Sequence, residues 1–130
     1  MKILVVDDDS TTRKVLGLYL RAKGFDAVAA ENGIDAMEKL GATAVQLIMT
    51  DINMPFMDGI EFVKNVRANP GWDQIPILVV STEADQEEQQ RAFAAGANGY
   101  LIKPVTADMV IGTIRKLLKD MFVQGGNKDA

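Results

Sequence analysis

The sequence predicts an α/β protein, a doubly wound five-stranded parallel sheet with five helices distributed over its two faces. Three observations carry this. Strand-like and helix-like segments alternate five times along the 130 residues, and parallel strands need crossover connections, which helices supply. The main strands read as unbroken apolar runs, the pattern of strands covered on both faces. Several of those runs end in a charged or hydroxylated residue, as expected where strand ends form a binding rim.

Residues 2–7, rich in Ile and Val, form the first strand and run straight into Asp7, Asp8 and Asp9. Ser10 suits a helix cap, and the helix after it carries an apolar stripe of Val15, Leu16, Leu18, Tyr19 and Ala22. Gly24 fits the left-handed position after that helix. "FDAVAA" is a weaker second strand, and "NGIDAMEKL" a short helix ending near Gly41. "VQLIMT" is the third strand and leads into Asp51. Gly59 to Ala68 places Ile60, Phe62, Val63 and Val66 at helical spacing, and "NPGWDQIP" is a loop. "PILVVS" is the fourth strand, residues 84–95 a helix rich in Ala, Glu and Gln, "NGYLIK" the fifth strand, and Ala107 to Phe122 the last helix. The tail "VQGGNKDA" reads as frayed. Crossovers are expected to be right-handed, and there is no internal repeat, low-complexity block or linker to a second domain.

Composition narrows the chemistry. The net charge is −4, with no run of Lys or Arg, which argues against nucleic acid as a direct partner. Without cysteine there is no disulfide, thiolate zinc site or thiol nucleophile. Without histidine the commonest general base and most transition-metal sites are removed. No apolar stretch approaches the ~20 residues of a membrane span. The N-terminal apolar run is too short and too quickly acidic for a signal peptide, so a cytoplasmic protein is expected.

The strand ends assemble a site. Strand one ends in Asp7 and Asp8, strand three in Asp51, strand four in Ser81 and Thr82, and strand five in Lys103 followed by Pro104. If these strands are neighbours, the groups converge, since adjacent strands lie only ~4.8 Å apart. Three carboxylates held so close are costly unless a cation shares them, and an all-oxygen set selects a hard ion such as Mg²⁺. A cation, a lysine and a hydroxyl around one carboxylate suit phosphoryl transfer, in which catalysis is mostly positioning and charge neutralisation.

In "VVDDDS", "TDINMPFMDG", "VVST" and "GYLIKP", in this order and spacing, the chain resembles the receiver domains of two-component response regulators, the CheY-like superfamily, in its free-standing single-domain form. The resemblance covers roughly residues 2–122, making 1–122 the expected receiver domain and 123–130 a flexible C-terminal tail. It implies the strand order 2-1-3-4-5. It implies Asp51 as the phospho-acceptor, taking its phosphoryl group from a histidine kinase or phosphotransfer protein. Mg²⁺ would be held by Asp8, Asp51 and the backbone carbonyl of Asn53, with Asp7 acting through water. Ser81 and Lys103 would meet phosphoryl oxygens, and Lys103–Pro104 would be a cis peptide, which X–Pro bonds tolerate. Tyr100 would be the aromatic switch coupled to Ser81, passing the signal to a downstream protein at the helix-4, strand-5, helix-5 face. Asn53, Thr82 and Glu83 would rim the pocket. A monomer acting by protein–protein binding is implied, chemotaxis among the pathways, catalysing only its own phosphorylation and dephosphorylation.

Blander roles compete at several positions. Asp9 sits near a helix start, where its charge suits the dipole, and Asp58 before Gly59 suits turn chemistry and a cap. Lys39, Lys116 and Lys119 read as solvated faces, and Met49, Met54 and Met57 as packing. Tyr100 could be a half-buried strand aromatic, and Asp51 could cap the next segment. Two other function classes stand beside the switch. A degenerate receiver would signal by shape alone, but such chains lose an acid or the lysine, and this one keeps them. A phosphatase acting on small molecules would carry a second Asp where Asn53 stands, and no Gly-rich phosphate loop is present.

Overall fold

The computed structural model describes the backbone of residues 1–129 and the side chains of residues 1–121. Five strands, β1 (Lys2–Val6), β2 (Asp26–Ala30), β3 (Leu47–Thr50), β4 (Ile77–Ser81) and β5 (Gly99–Ile102), alternate with α1 (Ser10–Arg21), α2 (Gly33–Ala42), α3 (Gly59–Ala68), α4 (Gln86–Ala95) and α5 (Ala107–Asp129). The strands form one parallel sheet in the order β2-β1-β3-β4-β5, the order expected.

The side-chain period of two sorts each strand between two cores. Ile3 and Val5 of β1, Leu47 and Met49 of β3, and Leu78 and Val80 of β4 pack with Leu16 and Leu20 of α1 and with Val110, Ile111 and Ile114 of α5. The intervening Leu4, Val6, Ile48 and Ile77 pack on the opposite face with Ala36 and Leu40 of α2 and with Phe62, Val63 and Val66 of α3. A third cluster joins Ile52, Ile60 and Val79 to Ala92 of α4. Burial on both faces explains the unbroken apolar runs, and each fully buried Leu, Ile or Val contributes ~1.5–3 kcal/mol. Met49 is buried, and Met54 and Met57 pack against the second core.

Several local expectations shift. The cap of α1 is Asp9, whose carboxylate accepts from the Thr12 N–H, and Ser10 is the first helical residue. The stripe of α1 is turned from the one expected. Leu16 and Leu20 are buried, while Leu18 is 62% exposed and Val15 lies near the surface. One helical face covers the sheet, and Leu20 lies four residues from Leu16 on that face, whereas Leu18 is two residues from each. Lys39 is not free in solvent. It pairs with Asp35 and donates to the Ala29 carbonyl at the outer edge of β2. α5 runs from Ala107 to Asp129 and so includes residues 123–129 of the segment read from the sequence as a tail. Ala130 lies outside the described residues. Gly24 has φ +85°, the left-handed value expected.

Candidate functional site

The rim at the carboxyl ends of the strands is built by register. Val6 lies opposite Thr50, Thr50 opposite Val79, and Ser81 opposite Ile102. Asp7 and Asp51, which follow β1 and β3, are therefore level with each other, and Lys103 after β5 lies two residues further along and reaches back toward them with its long side chain. Ladder-like bonds run one step past the strands and fix their backbones. The N–H of Asp51 donates to the Val6 carbonyl at 3.0 Å, that of Asp7 to Ala30 at 3.1 Å, and that of Lys103 to Ser81 at 2.8 Å.

Asp51 is 8% exposed. Its Oδ1 accepts from the N–H of Ile52 at 2.6 Å and its Oδ2 from Lys103 Nζ at 3.1 Å, so the carboxylate has one fixed orientation. Lys103 also donates to Asp7 Oδ2 at 2.8 Å, which places one ammonium between two buried carboxylates. Burial alone would push Lys103 down. The hydrogen bonds to Asp7 and Asp51, together with their charges, outweigh it and hold the amine above its usual range. Burial raises the Asp7 carboxyl, opposed by its bonds to Lys103 and the Asp9 N–H. Carboxylate oxygens of Asp7, Asp8 and Asp51 come within 4.8 Å of one another. Asp8 is exposed and has no ion pair among the described residues. The donor set is all oxygen, and the single Lys103 ammonium leaves two of its three negative charges uncompensated, so it fits a hard divalent cation such as Mg²⁺.

Ser81 is fully buried at the end of β4, and its Oγ accepts from the Glu83 N–H at 3.2 Å. Tyr100 on neighbouring β5 donates its phenol to the Glu83 carbonyl at 2.7 Å, so Ser81 and Tyr100 hold the same short segment from two sides. Asn53 Nδ2 donates to Glu83 Oε1 at 3.3 Å, joining two of the three expected rim residues across the mouth. Thr82 is exposed and lines an apolar cleft of about 420 Å³ with Thr11, Val15, Leu16, Lys103 and Pro104. The Lys103–Pro104 peptide is cis. Asp9 and Asp58 are caps, accepting from Thr12 and Glu61.

Three contributors were not legible in the sequence. Arg13 Nη1 donates to the Asp7 backbone carbonyl at 2.6 Å, tying α1 to the end of β1. Thr50 Oγ1 donates to the Asp51 carbonyl at 2.9 Å. Gly59 donates to the Ile52 carbonyl at 2.7 Å and lies where any Cβ would strike the Asp51 backbone. The Asp-Gly pair announces a turn, but only the fold reveals that the glycine is pressed against the Asp51 backbone.

The response regulator receiver domain family model matches residues 3–115. The chain belongs to that family. This receiver is 43% identical over 112 residues to chemotaxis protein CheY1 of Helicobacter pylori, covering 85% of this chain and 90% of that protein. It is 39% identical to the CheY homolog of Campylobacter jejuni, over the whole of this chain and 98% of that one. Among solved structures, chemotaxis protein CheY4 of Vibrio cholerae superposes with a TM-score of 0.86 at 34% identity, covering 89% of this receiver and 97% of that chain. As a receiver it is a signalling domain rather than a conventional enzyme, and it retains the acids and the lysine that a receiver signalling by shape alone would have lost. No helix among the described residues is long and apolar enough to cross a membrane.

Proposed function

We propose that this receiver is a phosphorylation-activated switch that accepts a phosphoryl group on Asp51 from a histidine kinase or phosphotransfer protein in the cytoplasm. Its output is binding to a downstream protein, with chemotaxis the pathway its relatives favour. The observation that carries the reading is the Asp51 carboxylate fixed by Ile52 and Lys103 beside Asp7 and Asp8.

The chemistry follows from those groups. An Asp51 oxygen attacks the phosphorus of a phosphohistidine. The O–P bond forms, the P–N bond breaks, and its electron pair leaves on the imidazole. Because the carboxylate is already oriented, little reorganisation precedes attack. Lys103, fully protonated at neutral pH, moves its charge from Asp51 to the incoming phosphoryl oxygens. Ser81 offers its hydroxyl to a further oxygen. Asp8, Asp51 and the Asn53 carbonyl would hold Mg²⁺, with Asp7 acting through water. When bound, that ion neutralises charge on the acids and the transferring group. A shift of Ser81 toward the phosphoryl group would alter its bond to Glu83, the residue whose carbonyl holds the Tyr100 phenol. The change would then reach the α4-β5-α5 face, where Phe93, Ile102 and Met109 are already exposed. The chain acts as a monomer and catalyses only its own phosphorylation and dephosphorylation.

Acetyl phosphate with Mg²⁺ should add one phosphoryl mass to the wild type and none to Asp51→Asn. Equal labelling of the variant overturns the assignment.

A further inference from the structure

Arg67, in the last turn of α3, makes bonds that the phosphorylation site does not use. Its Nε donates to the Gly96 carbonyl at 3.0 Å and its Nη2 to Asn98 Oδ1 at 2.8 Å. Its Nη1 donates to the carbonyls of Asp73 at 3.2 Å and Ile75 at 2.8 Å. Four of the five N–H donors of a rigid, planar fork are thereby committed. Gly96 is the C-cap of α4, and Asn98 immediately precedes β5. Asn98 is itself locked to β4, donating its N–H to the Ile77 carbonyl and accepting the Ile77 N–H, both at 2.8 Å. Gly96 has φ +124°, and a Cβ there would lie 2.6 Å from Arg67 Cγ, so the backbone passes closely under the arginine stem.

The opposite end of α4 is held differently. Only Ala92 of this helix is buried, far less than in α3. At the N-terminal end the links outside the helix run through Glu83, to Ser81, Tyr100 and Asn53. Those are the groups expected to move when Asp51 is phosphorylated. The helix thus has one end tied to a rigid framework and one end tied to the switch.

We infer that Arg67 is the fixed anchor about which α4 turns, confining the phosphorylation-driven rearrangement to the 82–90 end and keeping the 94–98 end in register with β5. This rests on the switch reading above. A bistable element needs such a reference, because a shift at one end becomes a defined rotation only when the other end is held.

Amide hydrogen exchange tests it, using the wild-type chain, Arg67→Lys and Asn98→Asp, each with Mg²⁺ alone and with Mg²⁺ and beryllofluoride as the phosphoryl mimic. Lysine keeps the charge but loses the fork, and aspartate keeps the acceptor for both Arg67 and the Ile77 N–H. In the wild type, beryllofluoride should change exchange over 82–90 and leave 94–98 within about twofold. In Arg67→Lys, exchange at 96–98 should rise about tenfold or more while β1 and β3 amides stay unchanged, and the mimic's effect should spread across 94–98. Asn98→Asp should keep the wild-type pattern. Unchanged protection at 96–98 in Arg67→Lys overturns the anchor, and an equal wild-type response over 82–90 and 94–98 overturns the pivot. No wild-type response anywhere overturns the switch reading and the pivot with it, while the comparison without the mimic still decides the anchor.

Discussion

Residue 59 must be glycine. A Cβ built there collides with the Asp51 carbonyl oxygen and lies 2.6 Å from the Ile52 Cα. Both are backbone, held by the bond from Gly59 to Ile52 and by the β1–β3 ladder, so neither can yield cheaply. Gly59→Ala should destabilise by about 3 kcal/mol, at the upper end of overpacking costs, read as a lowered urea midpoint. An unchanged midpoint would mean that α3 can slide away from Asp51. Tyr100 gives a second test at this scale. Burial pushes its phenol above the ordinary 10.0, reinforced by the charges of Glu83, Glu88 and Asp51 and opposed by a bond with Ser81. Between 10.0 and the raised value the native state keeps a proton that the unfolded chain has lost, so stability falls as pH rises through that window. The wild type should lose stability relative to Tyr100→Phe as pH climbs above 10.0. A constant difference between the two would show that the phenol ionises equally in both states.

At the scale of elements, helix starts were half legible. Asp58 before Gly59 was readable as a cap and is one. At α1, "DDDS" offers two adjacent capping residues, and the sequence does not say which the backbone selects. The fold decides, because Asp7 must end β1 level with Asp51, and the chain then turns so that the Asp9 carboxylate faces the Thr12 N–H. That turn also rotates α1 and buries Leu20 instead of Leu18. Asp9→Ala should lower the urea midpoint, and Ser10→Ala should leave it nearly unchanged. The Thr12 hydrogen bonds hold the Asp9 carboxyl below its usual range, so the Asp9→Ala penalty should begin to fade as pH falls below 3.8, where the unfolded chain takes up a proton, and fade fully only at the lower pH where the native cap itself is protonated. At α2, Asn32 accepts from the Asp35 N–H, and Asn32→Ala should cost about 1 kcal/mol. Equal effects of the Asp9 and Ser10 substitutions would contradict the observed cap.

At the scale of the molecule, the alternation of elements predicted the sheet because parallel strands need helical crossovers, and the acids at strand ends predicted that Asp7, Asp8 and Asp51 meet on one rim. What stayed hidden depends on contacts that the strand pattern does not dictate, such as Arg13 on the Asp7 carbonyl, or Asn53 on Glu83. The same geometry makes the apo protein electrostatically frustrated. Lys103 offsets only one of the two charges of Asp7 and Asp51, and Asp8 adds a further negative charge within reach of both. Folding alone assembles these oxygens, so Mg²⁺ should bind the native state and stabilise it by mass action, by about 2.7 kcal/mol at a hundredfold excess over Kd. Asp8→Asn removes a repelling charge and a hard ligand together. The variant should be at least as stable as the wild type without Mg²⁺, and its urea midpoint should respond weakly to the ion. If Asp8→Asn gains as much from Mg²⁺ as the wild type at the same concentration, Asp8 is not a ligand. If it is less stable without the ion, the cluster is already relieved by Lys103 and the apo state carries no strain for the metal to release.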